Sequence, residues 1–402
     1  MVAAFSEVPS LSVESELAIE VARALEGWCE VDVVAPMLDA TAHLEAFHGG
    51  RLHRVSVAGT EDVHGAADAF ERALDRQIAS ARYDAVHLLS PLGAGVAAGR
   101  TGGDVPIVAH VQPLPALGFR FGPAERGWLE RLAAEEAATL DAASLLILHE
   151  PADTGALRFR RRLAPHLVLP EPVDVDAYHW EQLVPGPSPV VLILDPAFPP
   201  TQRFEMLQPL GALERSPGVS TWRLSVPSGR LQPGMAEPET GVAAWAGGTS
   251  KGEVRLKIAA RTAFAAADVV IAPHAAGLEE CGLAASCRRW GILQSAACRR
   301  PLVVSDSQRF PLPADLAENV FRFPAGDWAA MAQIVRSVLL HPAKAAHVAD
   351  RAWKRVHEAH SATDFRRRLR AIYAGILGHD PTRPGPMPVR VGPPEPETPE
   401  AA

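Results

Sequence analysis

The sequence predicts an α/β protein made of two doubly wound, Rossmann-like domains. Short runs rich in Val, Ile and Leu alternate with longer Ala-, Leu- and Arg-rich stretches of helical period. A parallel sheet produces that rhythm, because consecutive parallel strands need a crossover long enough to hold a helix. The rhythm runs twice, and a proline-rich pause at 171–189 separates the two runs. Such composition marks a linker. The expected organisation is a first domain at 1–175, a second at 190–360, a C-terminal helix at 361–378 that packs back toward the first domain, and a tail at 379–402.

In the first half, apolar and β-branched runs place strands at 2–5, 31–35, 54–57, 85–89, 106–111 and 145–148, with helices of apolar period 3.6 at 14–25, 66–81 and 123–140. Ser12, with Ser15 or Glu16, reads as the cap of the first helix. The second half places strands at 190–194, 221–225, 269–272, 302–305 and 320–323. The stretch 227–250 is loaded with Gly and Pro and reads as an irregular surface excursion. The last 22 residues carry eight prolines and almost no aromatic side chains, too little apolar surface to offset the entropy of ordering, so the tail is expected to be disordered.

Composition narrows the function. The chain has 402 residues, 48% hydrophobic and 21% charged, with 39 basic against 47 acidic side chains and a net charge of -8. A general nucleic-acid binder needs a basic face, so DNA and RNA are set aside. The first residues carry no basic stretch ahead of a short apolar one, and no run approaches the roughly 18 to 20 apolar residues of a spanning helix. Cys29, Cys281, Cys287 and Cys298 lack metal-site spacing and are sparse for a disulfide framework, which fits a reducing cytoplasm. Ser-His-Asp, Walker, zinc and Gly-x-Gly-x-x-Gly signatures are absent from the sequence.

Five segments resemble, in order and spacing, the family-four retaining glycosyltransferases of the GT-B fold. Leu293-Gln-Ser-Ala-Ala-Cys-Arg-Arg-Pro-Leu-Val-Val-Ser-Asp306 is similar to that family's Leu-Glu-Ala-Met-Ala-x-Gly-x-Pro-Val-Val stretch. Ala267-Asp-Val-Val-Ile-Ala-Pro-His274 resembles its Ala-Asp-Val-x-Val-x-Pro-Ser strand and turn, and Val168 to Tyr178 resembles the segment joining its domains. Phe323 to Trp328, and then His341-Pro342 with a helix ending at Tyr373, resemble its C-terminal helices. The resemblance runs to about Leu377 and implies two Rossmann-like domains facing a central cleft. It also implies a nucleotide-diphosphate sugar as co-substrate, held by the second domain, a small-molecule or lipid-linked acceptor held by the first, and no metal or other cofactor.

The same resemblance assigns candidate residues and exposes departures. The family's diphosphate-binding Arg and Lys fall on Phe198 and Arg203 of Asp195-Pro-Ala-Phe-Pro-Pro-Thr-Gln-Arg203, so Arg203 alone stands in for the pair. Its two donor-binding carboxylates fall on Ser286 and Gln294, with Ser295 beside the latter. An insertion would let Glu280, next to Glu279, take the first role. Gln294 can still donate to and accept from a ribose hydroxyl. The sugar-contacting His of the first domain falls on Gln112, two residues after His110, and strand alternation turns both to one face. Arg299 replaces a glycine and is expected either to crowd the cleft, to supply a new cation there, or to be exposed charge at a helix end. Ser12 and Val13 replace the two glycines of a turn.

Two arginine clusters, 158–162 and 366–370, read as solvated helix faces or as a basic surface for peripheral contact with the inner membrane face. The sequence thus supports a divergent hexosyl-transferring glycosyltransferase, cytoplasmic or peripheral at that membrane. The altered donor positions support a rival: a glycosyltransferase-like protein that has lost turnover and serves a protein partner.

Overall fold

A computed structural model describes residues 1–5, 13–37, 43–57, 63–111, 123–149, 164–177, 189–194, 200–210, 223–225, 264, 267–273, 282–306, 312 and 316–378. Expectations for 227–250, the 158–162 arginines and the tail lie outside these residues.

The first sheet contains β1 (Val2–Ala3), β2 (Asp32–Met37), β3 (His43–Phe47), β4 (Gly50–Ser56), β5 (Val86–Leu88), β6 (Ile107–Val111), β7 (Leu145–Leu148) and β8 (His166–Val168). Their order is β3-β4-β2-β1-β5-β6-β7-β8, parallel throughout except for β3. Helices α1 (Val13–Leu25), α2 (Val63–Ser80), α3 (Ala94–Thr101) and α4 (Pro123–Ala142) make the crossovers. The second sheet, ordered β10-β9-β11-β12-β13, is all parallel and holds β9 (Val190–Ile193), β10 (Arg223–Ser225), β11 (Val269–Ala272), β12 (Leu302–Asp306) and β13 (Phe321–Pro324). Its helices are α5 (Pro200–Leu210), α6 (Gly282–Ala297) and α7 (Trp328–Leu340), followed by α8 (Pro342–Ala359) and α9 (Ala362–Leu377). None of the described helices is long and apolar enough to cross a membrane.

Strand parity divides the interior into three clusters. Ile107, Ala109 and Val111 of β6 face an outer core under α2, α3 and α4, while Val108 faces the opposite side. Val191 and Ile193 of β9 likewise face an outer core with α5 and α7, while Leu192 turns inward. The inward residues of both sheets join α1, α6 and α9 in one continuous apolar cluster, from Leu17 and Val21 through Trp290 and Leu293 to Phe365 and Tyr373. Burial on both faces explains why the central strands read as unbroken apolar runs.

Sequence reading missed the antiparallel β3–β4 hairpin and saw only its last part. His48 and Gly49 form its two-residue loop with φ of 43° and 75°, the left-handed pair that a type I′ turn requires. The strand His43-Leu-Glu-Ala-Phe47 lacks β-branched residues because it is an edge strand, with Leu44 exposed. Under this hairpin, the buried Asp32 carboxylate accepts from Arg51 (Nε, 2.8 Å), Tyr83 (Oη, 2.8 Å) and Gln77 (Nε2, 3.3 Å), which pins β2, β4 and α2 together. Against the upward push of burial, hydrogen bonds from His53, Arg51 and Tyr83 and the charge of Arg51 hold its pKa well below the usual carboxylate range.

The 366–370 arginines are not a free solvated face, and this corrects the expectation. Arg366 pairs with the buried Glu20 of α1. Arg368 donates to Val168 O at 2.7 Å and Arg370 to Ala24 O at 2.9 Å. Arg367 reaches Asp364 on its own helix. Three of these four cations therefore fasten α9 to the first domain. The crossings between domains are also joined: Val173 N donates to His360 O (2.7 Å), Ala362 N to Val173 O (2.9 Å) and His360 Nδ1 to Glu171 O (2.9 Å).

Candidate active-site cleft

Doubly wound sheets bind ligands beyond the carboxyl ends of their strands, so the residues at those ends come first. In the first domain, three adjacent parallel strands each contribute a buried histidine: His87 in β5, His110 near the end of β6, and His149 just after β7. The rings of His87 and His110 stack with centroids 4.8 Å apart at 20°, and those of His110 and His149 lie 4.9 Å apart at 31°. Tyr373 of α9 closes the row, joined by a hydrogen bond of 2.8 Å to His87 Nδ1.

The bonds fix two of the tautomers. His149 Nδ1 lies 3.1 Å from Leu169 O, and a carbonyl can only accept, so Nδ1 carries the proton. His149 Nε2 is then bare and accepts from Nδ1–H of His110 at 3.1 Å. This leaves His110 Nε2 as a lone pair with no partner among the described residues, and His87 Nε2 also lacks one. Burial pushes the pKa of His110 down to about 3. His87 and His149 fall well below the usual imidazole range, mainly through burial and then through neighbouring imidazoles. At neutral pH the row is uncharged: the hydrogen-bonded pair His110–His149 stacks against His87, which is bonded to Tyr373, and His110 Nε2 is left as a buried acceptor.

In the second domain, α6 approaches the carboxyl end of β9 so closely that a Cβ on Gly291 would stand 2.7 Å from the Leu194 side chain. Two residues earlier, Arg289 Nε lies 2.7 Å from Glu171 Oε2, with side chains only 11% and 3% exposed. This ion pair ties α6 to the interdomain linker, and the Arg289 charge helps depress the His149 pKa. Further along α6, Gln294 and Ser295 are buried. Ser295 Oγ donates to Gly291 O at 2.6 Å, whereas Gln294 Oε1 has no partner among the described residues.

The other candidates divide. Arg203 falls in the first turns of α5, which follows β9, but its side chain lies outside the described residues, as do Gln112, Glu279, Glu280 and Phe198. Arg299 is corrected. It follows α6 and precedes β12, so it stands at the amino edge of the sheet rather than at the cleft. Its φ of 52° is the left-handed conformation of a helix C-terminus, which explains why glycine suits the position. Its guanidinium lies 3.9 Å above the Trp353 ring and 3.8 Å from Asp350, both on α8. Sequence reasoning missed His87, His149, Arg289 and Glu171. Matching parity on consecutive strands was a signal for the two histidines, but nothing local marks the ion pair.

Neither a family model nor a curated protein matches the chain. Solved structures do. A sucrose-phosphate synthase from Thermosynechococcus elongatus superposes with a TM-score of 0.70 at 18% identity, covering 94% of this chain and 99% of that one. This protein has the GT-B fold. Anabaena HepE in complex with UDP-glucose, with a TM-score of 0.59 at 14% identity, covers 93% of this GT-B chain and 100% of its own. An α,α-trehalose 6-phosphate synthase from Burkholderia multivorans matches with a TM-score of 0.59 at 17% identity, over 93% and 98%. These GT-B neighbours each cover 93–94% of the chain.

Proposed function

We propose that this protein is a divergent retaining glycosyltransferase that moves a hexosyl group from a nucleotide-diphosphate sugar to a small-molecule or lipid-linked acceptor. The observation that carries the reading is the whole-chain likeness to HepE, whose structure holds UDP-glucose. The leaving diphosphate develops negative charge, and α5 and α6 follow β9 and β11 so that their N-termini lie on the ligand side of the sheet. Arg203 on α5 neutralises the diphosphate. Gln294 meets the ribose hydroxyls with an amide whose oxygen has no partner among the described residues, and Glu280, Glu279 and Ser295 complete the donor side. On the acceptor side, His110, supported by His149, offers its bare Nε2 near the transfer point, with Gln112 two residues beyond. The protein works in the cytoplasm, in solution or at the inner membrane face.

A second reading, a lapsed glycosyltransferase serving a protein partner, is favoured by Gln294 standing where the resembled family has a carboxylate. Thermal unfolding with UDP, GDP, TDP and ADP and their sugars separates the two. A ligand at 100 times its Kd adds about 2.7 kcal/mol to the native state. Stabilisation by one diphosphate, lost in Arg203→Ala, supports the transferase; no shift with any of them removes it.

A further inference from the structure

The outer face of the first sheet carries a second feature, remote from the histidine row. Between β4 and the C-terminal half of α2 lies an open groove of about 450 Å³. Its floor is apolar, with Val34 and Val55 from the sheet and Ala69 and Ala73 from the helix. Its rim carries Arg72 and Arg76 of α2, whereas Arg54, also beside the groove, is bound through two nitrogens to Glu45. In a chain of net charge -8, no carboxylate lines this groove among the described residues. Val34 and Val55 pack with the outer core, whereas the histidine row faces the shared interior, so the sheet itself separates the groove from the cleft.

The arginines of this domain differ in how they are used. Arg51, Arg54, Arg100 and Arg131 each hold a carboxylate: Asp32, Glu45, Asp75 and the pair Asp68 and Glu71 respectively. Arg72 and Arg76 are exposed and make no hydrogen bond or ion pair among the described residues. They stand four residues apart on α2, one above the other on the same face, where like charges repel and weaken a helix. The acids adjacent to them in sequence are already engaged, Glu71 with Arg131 and Asp75 with Arg100 through both of its oxygens. A bridging anion would relieve that repulsion.

We propose that this groove is a second ligand site, for a phosphomonoester of sugar size. A phosphate accepts several charge-assisted hydrogen bonds at once and matches paired guanidinium groups, while the apolar floor takes the carbon skeleton. The volume lies within the range of small-molecule sites. Because the groove sits on the far face of the sheet, its ligand binds alongside a donor sugar rather than in competition with it.

The test is calorimetric titration of the full chain with glucose 6-phosphate, glucose and inorganic phosphate, and sedimentation with phosphatidylcholine vesicles containing phosphatidylglycerol. The expected result is saturable binding of glucose 6-phosphate, none of glucose, and competition by inorganic phosphate. Affinity should fall at least tenfold in R72Q/R76Q and in Ala73→Glu, which places a carboxylate in the groove. It should be unchanged in Arg203→Ala, so failure here is distinct from failure of the transferase reading. Glutamine keeps the helix propensity of these exposed positions and removes the repulsion between them, so the double variant should unfold at or slightly above the wild-type temperature. Equal binding by R72Q/R76Q, loss in Arg203→Ala, or binding to anionic vesicles alone would each overturn the proposal.

Discussion

The buried histidine row makes stability depend on pH in a window that carboxylates leave almost untouched. In the unfolded chain an imidazole titrates near 6.5, whereas His110 in the fold binds a proton only at about 3. Below pH 6.5 the unfolded state therefore takes up a proton that the native state refuses, and stability falls as pH falls. Well below pH 6.5 each pH unit withdraws about 1.4 kcal/mol, and His110 alone removes about 2 kcal/mol between pH 6.5 and 4.5. His87 and His149, shifted the same way, add to the loss. The contribution is complete from about one unit above pH 6.5. Urea unfolding at a series of pH values from about 7.5 to 4.5 reads the proton uptake as the slope of ΔG against pH. His110→Gln is close in volume, keeps a donor for His149 and removes one titrating group, so its slope below pH 6 should be shallower by about one proton. An unchanged slope in that variant would refute the reasoning.

Two other perturbations follow from the geometry. Arg289→Ala leaves Glu171 charged and buried without its cation and should cost about 3–5 kcal/mol, whereas the double variant Glu171→Leu/Arg289→Met should cost clearly less, because no bare charge remains. Comparing urea midpoints of the single and double variants checks this. Arg299→Gly relieves a left-handed backbone strain of about 1 kcal/mol and loses a cation–π contact worth about 0.5–1 kcal/mol, so stability should barely change. Nucleotide binding by the same variant, measured by thermal shift, should match wild type, in keeping with a position at the far edge of the sheet.

Strand runs such as Val190-Val-Leu-Ile193 and Val269-Val-Ile-Ala272 were legible because a strand buried on both faces is written locally, in consecutive apolar residues. The hairpin at His48-Gly49 was legible in principle from its two-residue loop, but its edge strand carries too little apolar signal to announce itself. Helix α3 (Ala94–Thr101) escaped notice because its Gly- and Ala-rich sequence has no apolar stripe.

What the sequence determined alone was the alternation of elements, the break near the linker and the parity that turns His110 away from Val111. Those follow from local periodicity and chain connectivity, which neighbouring residues encode. Only the tertiary structure decided that His87, His110 and His149 form one row, that Arg289 finds Glu171 more than a hundred positions away, and that Arg366, Arg368 and Arg370 fasten α9 to the first sheet's side of the molecule. These outcomes depend on which strands become neighbours and on what burial does to a charge. Neither has a local signature: the same arginine is a solvated cation or a buried clasp according to the surface that the rest of the chain brings to it.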